Sequence, residues 1–143
     1  MRGYFGIGIL SHKHDINIGT LFRSAYCFGA DFVFTIGKVY KRDSSDTPDA
    51  TKHIPCFYYP TLDDFIKGMP KGCDLVCVEN SKNAFKIKNY VHPKRACYLL
   101  GNETTGLPSE LTESHQSIII DTKRCLNVGI AGSIVMFDRL NKS

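Results

Sequence analysis

No Cys-x-x-Cys pair occurs in this sequence. Its six cysteines therefore lack zinc-site spacing. They also make a poor secreted disulfide framework, because Cys27, Cys77 and Cys97 sit inside apolar runs where a free thiol behaves as a small hydrophobe. No metal and a reducing, cytoplasmic setting are expected. Long hydrophobic runs are missing too. The opening MRGYFGIGIL is too short to span a bilayer, lacks a small-residue cleavage site and reads as a first buried strand. The dinucleotide fingerprint Gly-x-Gly-x-x-Gly is absent. There is no internal repeat and no low-complexity tract. Charge of one sign is only mildly in excess, with a net +4 and a pI near 8.7. That balance suits a polyanionic partner without requiring one.

What is present is an ordinary globular composition, 43% hydrophobic and 22% charged over 143 residues. This is enough chain for one domain, residues 1–143, with a core that needs no cross-links. Short apolar runs recur at Tyr4–Leu10, Phe32–Ile36, Leu75–Val78, Ala96–Leu100 and Ser117–Ile120. They are rich in β-branched and aromatic residues and bounded by Gly or polar residues, as strands buried on both faces are. Helical spacing lies between them. Ile18, Leu21, Phe22, Ala25 and Phe28 form one stripe, and Gly29 suits its stop. A last helix is expected over Asn127–Leu140, with shorter ones near Leu62–Lys67 and Ala84–Lys88. The alternation predicts an α/β fold, a mostly parallel sheet flanked by helices. The polar span Val39–Pro55 reads as a long excursion within that domain.

Three segments have the composition of a binding site. The first is NIGTLFR, Asn17–Arg23. Arg23 falls nearly opposite the apolar stripe, which suits a solvated arginine or a clamp on a phosphate or ribose oxygen. Asn17 suits an N-cap, and the helix start offers free N–H groups to an anion. The second is LLGNETTGLP, Leu99–Pro108, where two glycines bracket a carboxylate at the C-terminal end of a predicted strand. Ligands bind at such ends in open α/β sheets, though a plain turn with a capping acid has the same composition. No Lys-Ser or Lys-Thr follows it, so it is not a P-loop. The third is RCLNVGIAGSIVMFDR, Arg124–Arg139. Gly129 and Gly132 each cost a helix about 1 kcal/mol against Ala. Their small-residue patch suits close approach of a ligand or of another helix, or tight core packing.

Together these segments resemble the three motifs of the SpoU/TrmH branch of the SPOUT RNA methyltransferases. The pattern Asn-x-Gly-x-x-x-Arg appears as Asn17, Gly19 and Arg23, and Gly-x-Glu-x-x-Gly-Leu as Gly101, Glu103, Gly106 and Leu107. The third motif, Ser-Leu-Asn-Val-Ser, appears as Cys125-Leu126-Asn127-Val128-Gly129, with both serines replaced. The resemblance implies a sheet whose C-terminal part is threaded into a deep trefoil knot, a homodimer, and transfer of a methyl group from S-adenosylmethionine to a ribose 2′-hydroxyl of RNA, tRNA or rRNA, with tRNA favoured for so short a chain. It implies that Val78, Gly101, Gly106, Ile120, Cys125 and Leu126 hold the cofactor. It implies that Arg23 acts at the target hydroxyl, supported by Asn17, Glu103 and Asn127. The N- or C-terminal RNA-binding extensions of many relatives are not found in these 143 residues, so Lys38, Lys41, Arg42, Lys94, Arg95, Lys123 and Arg124 are the candidate phosphate contacts. The alternatives are a catalytically silent RNA-binding or assembly protein that keeps the fold, favoured by Cys125 and Gly129, and a small nucleotide-binding redox enzyme, disfavoured by the missing fingerprint.

Overall fold

The computed structural model describes residues 3–11, 18–102 and 104–142. Seven strands form one sheet in the order β3-β2-β1-β6-β4-β7-β5, and every neighbouring pair is parallel. The strands are β1 (Tyr4–Leu10), β2 (Phe32–Ile36), β3 (Cys56–Tyr59), β4 (Asp74–Val78), β5 (Phe85–Lys86), β6 (Arg95–Gly101) and β7 (Gln116–Ile119). The helices are α1 (Ile18–Phe28), α2 (Leu62–Gly68), α3 (Ser109–Ser114) and α4 (Val128–Asn141). The chain steps outward from β1 to β3, crosses to β4, and later fills the gap beside β1 with β6. The strand order therefore reverses at the centre of the sheet, the place where α/β folds open a crevice.

Alternation along β1 explains the two faces. Ile7 and Ile9 point to one side, where they join Val76, Tyr98 and Leu100 beneath α1 and α4. Gly6 and Gly8 point to the other, and a Cβ on either would overlap the ring of Phe32 or Phe34. Those rings pack with Phe65 of α2 and with Leu99, Leu107 and Leu111. The result is three layers, with the apolar runs fully enclosed between two helical ones.

The five predicted strands are present, within a residue or so at their ends, and α1 stops at Gly29, which takes φ +80°. Three readings need correction. Residues 84–88 are not helical. Phe85 and Lys86 pair with Ile118 and Ile119 as an edge strand, and a 3-10 turn follows. A five-residue helix has too little internal bonding to compete with a sheet edge. The strand β3 and helix α3 were not foreseen, because CFYY and SELTES are each under two helical turns and carry no clear period. Cys27 is exposed rather than buried, since it lies opposite the α1 stripe, while Cys77 and Cys97 are buried as expected.

The glycines of α4 have an intrachain reason. A Cβ on Gly132 would overlap the Leu21 side chain of α1, and one on Gly129 would sit 2.9 Å from Thr20 Cγ2. Ser133 Oγ donates to Ser24 Oγ at 2.8 Å across the same seam. The two helices thus close to glycine distance, and burying Leu21 completely offsets the low helix propensity.

Candidate active site

A cleft of about 720 Å³ opens beyond the C-terminal ends of β6, β4 and β7. Parallel strands all deliver their last residues to this edge, and each contributes a loop. From β6 come Gly101, Asn102 and the 104–107 turn, from β4 Val78 to Lys82, and from β7 the segment 120–126. The start of α4 closes the wall with Val128 and Ala131. The volume lies within the range of small-molecule sites.

All six residues expected to hold a cofactor line this cleft: Val78, Gly101, Gly106, Ile120, Cys125 and Leu126. Arg23 does not. It is exposed on α1, which packs against α4 through Gly129, Gly132 and Ser133, while Val128 and Ala131 of α4 line the cleft. Asn127 is the N-cap of α4, and its Oδ1 accepts from Ile130 N at 3.2 Å. Asn17 and Glu103 lie outside the described residues.

The loop after β6 is largely self-built. Asn102 Oδ1 accepts from Thr104 N at 2.9 Å, Thr105 N at 2.8 Å and Thr105 Oγ1 at 3.1 Å. Gly106 N donates to Asn102 O at 3.0 Å, and Leu107 N to Glu79 Oε2 at 2.9 Å. Four successive backbone N–H groups, 104–107, are therefore committed to the protein before any ligand arrives. The loop offers shape and carbonyls more than amide donors. Its glycines serve that shape. Gly106 sits at φ +64°, and a Cβ there would run into the Glu79 carboxylate. A Cβ on Gly101 would overlap the Gly106 backbone. The space read from the sequence as room for a ligand at Gly101 is used by the loop itself.

Asn102, Glu79 and Ser81 are site residues that the sequence reading missed. An Asn after a strand-end glycine is an Asx-turn signal, and that much was available. Glu79 was not, because its partner lies 28 residues away. Ser81 Oγ is buried in the cleft wall with no hydrogen-bond partner, an acceptor and donor left for something else.

The basic candidates separate by edge. Lys123 and Arg124 line the cleft, joined by Lys82. Lys38, Lys41 and Arg42 follow β2 at the same edge, but the Arg42 guanidinium donates to Asp46 O at 2.9 Å and Thr47 O at 2.8 Å. Lys94 and Arg95 begin β6, about 20 Å from its end at the usual strand rise, so they leave the candidate set. Among the described residues no cluster of His, Cys, Asp and Glu is placed to hold a metal, and no helix is long and apolar enough to cross a membrane.

Residues 7–137 match the model of the SpoU rRNA Methylase family. No curated protein matches the sequence. Solved structures do. An AdoMet-bound rRNA methyltransferase from Sinorhizobium meliloti superposes with a TM-score of 0.84 at 22% identity over 99% of this chain and 57% of its own. The A. aeolicus TrmH/SpoU tRNA modifying enzyme gives 0.82 at 18% identity, over 99% of this chain and 76% of its own. A structure described by the 2-OH methylation of C/U34 on tRNA gives 0.80 at 16% identity and covers 99% of both chains. The chain thus spans little more than half of the S. meliloti protein and nearly all of the last.

Proposed function

Since the chain belongs to the SpoU rRNA Methylase family, we propose that it is an S-adenosylmethionine-dependent RNA 2′-O-ribose methyltransferase that works as a homodimer, with tRNA as its substrate. The observation that carries this reading is the cleft, which gathers the six expected cofactor residues from three separate strand ends. The residues there suit the group. Val78, Leu100, Ile118, Ile120 and Leu126 give apolar walls for an adenine, and Asn80, Ser81 and Thr122 add polar residues to the lining. When bound, S-adenosylmethionine supplies a methyl group on a sulfonium, an electrophile that needs no further activation.

The chain's own residues then have to orient a ribose hydroxyl and stabilise the charge that develops on its oxygen. Arg23 is suited to that, since a guanidinium presents fixed donors and stays charged. It is a poor proton acceptor for the same reason. Asn127 sets the start of α4 and with it the 120–127 segment. Lys82, Lys123 and Arg124 at the cleft supply phosphate contacts.

The homodimer rests on two observations. Ile130, Phe137 and Leu140 of α4 are 50%, 57% and 59% exposed, apolar side chains left uncovered on the outer surface of the helix. Arg23 is absent from the cleft of its own chain, and a second copy would bring one. The glycines of α4 are used by α1 within one chain and carry no weight for a dimer. The trefoil threading and a cytoplasmic location belong to the same reading; the adjacency of the 101–107 loop and the 120–126 segment supports the first, and six free cysteines the second. The preference for tRNA rests on the C/U34 structure, which the chain matches end to end.

A silent RNA-binding module is the second reading. Cys125 favours it, but Gly129 no longer does, because Thr20 occupies the space a serine would need. Calorimetry with S-adenosylmethionine, followed by labelled methyl transfer to tRNA and nucleoside mass analysis, separates the two. The enzyme binds the cofactor and yields 2′-O-methylnucleosides; the silent module binds RNA and yields none.

A further inference from the structure

We propose that Glu79 is a positioning residue for the cofactor cleft: its carboxylate, at the end of β4, pins the Gly106–Leu107 turn in the shape that receives the ligand. The observations are geometric. Glu79 Oε2 accepts from Leu107 N at 2.9 Å while Oε1 accepts from Asn80 N at 3.1 Å, so the two oxygens tie two segments together. The backbone of Glu79 is itself held on both sides. Its N–H donates to Ile118 O at 3.1 Å, and its carbonyl accepts from Ser117 Oγ at 2.7 Å. The anchor is thus fixed to β7 before it reaches across to the loop.

Thr104, Thr105 and Gly106 all hydrogen-bond to Asn102, inside the loop. They fix the loop's internal shape and not its place over the cleft. Placement comes from Glu79 and the buried Leu107 side chain at the far end of the loop, and from Asn102 Nδ2, which donates to Leu10 O at 3.5 Å, at the near end. The absence of a side chain at Gly106 leaves the carboxylate its room, since a Cβ there would overlap Glu79 Oε2. A carboxylate that accepts from backbone N–H makes the stronger, charge-assisted kind of hydrogen bond.

This inference rests on the cofactor reading for its ligand but not for its main readout. The test uses full-length wild type, Glu79→Ala and Glu79→Gln. Amide hydrogen exchange at Leu107 is measured without ligand, and the dissociation constant for S-adenosylhomocysteine by calorimetry. In Glu79→Ala, exchange at Leu107 and Thr105 accelerates while core strand amides keep their protection, and affinity falls roughly tenfold. Glu79→Gln keeps one oxygen acceptor and restores most of both. Unchanged Leu107 exchange and affinity in Glu79→Ala overturn the proposal. So does a uniform rise in exchange across the sheet in both variants, which would make Glu79 a general stability residue. If wild type fails to bind S-adenosylhomocysteine, the cofactor reading fails, and the local exchange result still decides whether Glu79 pins the turn.

Discussion

The two edges of the sheet use their polar side chains differently. At the N-terminal edge they are buried and paired with one another. His92 Nδ1 lies 2.6 Å from Tyr98 OH and Nε2 2.6 Å from Asp138 Oδ2, and Lys142 Nζ is 2.9 Å from the same carboxylate. Arg139 donates to Pro93 O at 2.6 Å, Lys94 O at 2.9 Å and Tyr98 OH at 3.2 Å, with its guanidinium 5.1 Å over the Phe5 ring. At the C-terminal edge the loops are ordered by their own bonds, yet Lys82, Lys123 and Arg124 line an open cleft. A polar cluster that consumes its own hydrogen bonds holds a fold together. One that leaves groups facing a cavity is prepared for a ligand. Helix α4 runs between the two, with its N-terminus in the cleft wall and its C-terminus in the buried network.

That contrast predicts effects on function at one edge and on stability at the other. The largest is Arg23→Ala. Methyl transfer falls by a factor on the order of a hundred or more, as when a charge-stabilising donor is lost. Cofactor affinity and melting temperature hold, because an exposed substitution outside the cleft changes stability by within about 0.5 kcal/mol. Kinetics and thermal melts on one preparation check all three. A melting collapse would mean that Arg23 is structural.

Gly101→Val comes next. The new side chain meets the Gly106 backbone, so the loop cannot close and binding of S-adenosylmethionine is lost in calorimetry. Mixing this variant with Arg23→Ala sharpens the dimer proposal. If Arg23 serves the partner's cleft, exchange of subunits returns part of the activity that each inactive homodimer lacks. No recovery after verified exchange would put Arg23 and its cleft in the same chain.

At the opposite edge the order of effects inverts. Arg139→Ala takes charge-assisted donors from Pro93 O, Lys94 O and Tyr98 OH and costs about 3 kcal/mol or more, a drop in melting temperature on the order of 10 °C. S-adenosylmethionine affinity at 20 °C changes little. The same network has a pH signature. Burial pushes the His92 imidazole below its usual range, outweighing Asp138, which acts the other way, with Lys142 and Arg139 adding to the lowering. The unfolded chain therefore takes up this proton first as pH falls. Stability is full above the unfolded value of about 6.5 and declines as pH drops through it toward the folded value. Denaturant titrations from pH 7.5 to 5 measure the slope, and His92→Gln flattens it.

The smallest effect separates the edges by RNA affinity. Lys123→Glu weakens tRNA binding several-fold and lowers the salt slope by about one, while Lys94→Glu leaves both unchanged. Equal effects would mean that RNA wraps the whole surface.

Much of this was legible in the chain itself. The apolar runs at Tyr4–Leu10, Phe32–Ile36 and Ala96–Leu100 announce buried parallel strands because they are apolar on both faces. The cleft residues were legible because strand ends and glycines mark them. Residues whose meaning depends on distant partners were not. Glu79 reads as one more surface acid until Leu107 is placed beside it. Gly129 reads as a lost serine until Thr20 is seen in its space. His92, Asp138 and Arg139 read as ordinary polar residues until the fold brings α4 over the start of β6. Short elements such as β3 and β5 owe their form to a neighbouring strand rather than to their own pattern.

Mapping ribose 2′-O-methyl groups by mass spectrometry, in total RNA from cells with and without the gene, tests the central claim most directly. The account predicts that one or a few tRNA positions lose their 2′-O-methyl group when the gene is deleted, regain it with the wild-type gene, and stay unmodified with Arg23→Ala. An unchanged 2′-O-methyl map, or full restoration by Arg23→Ala, would contradict it.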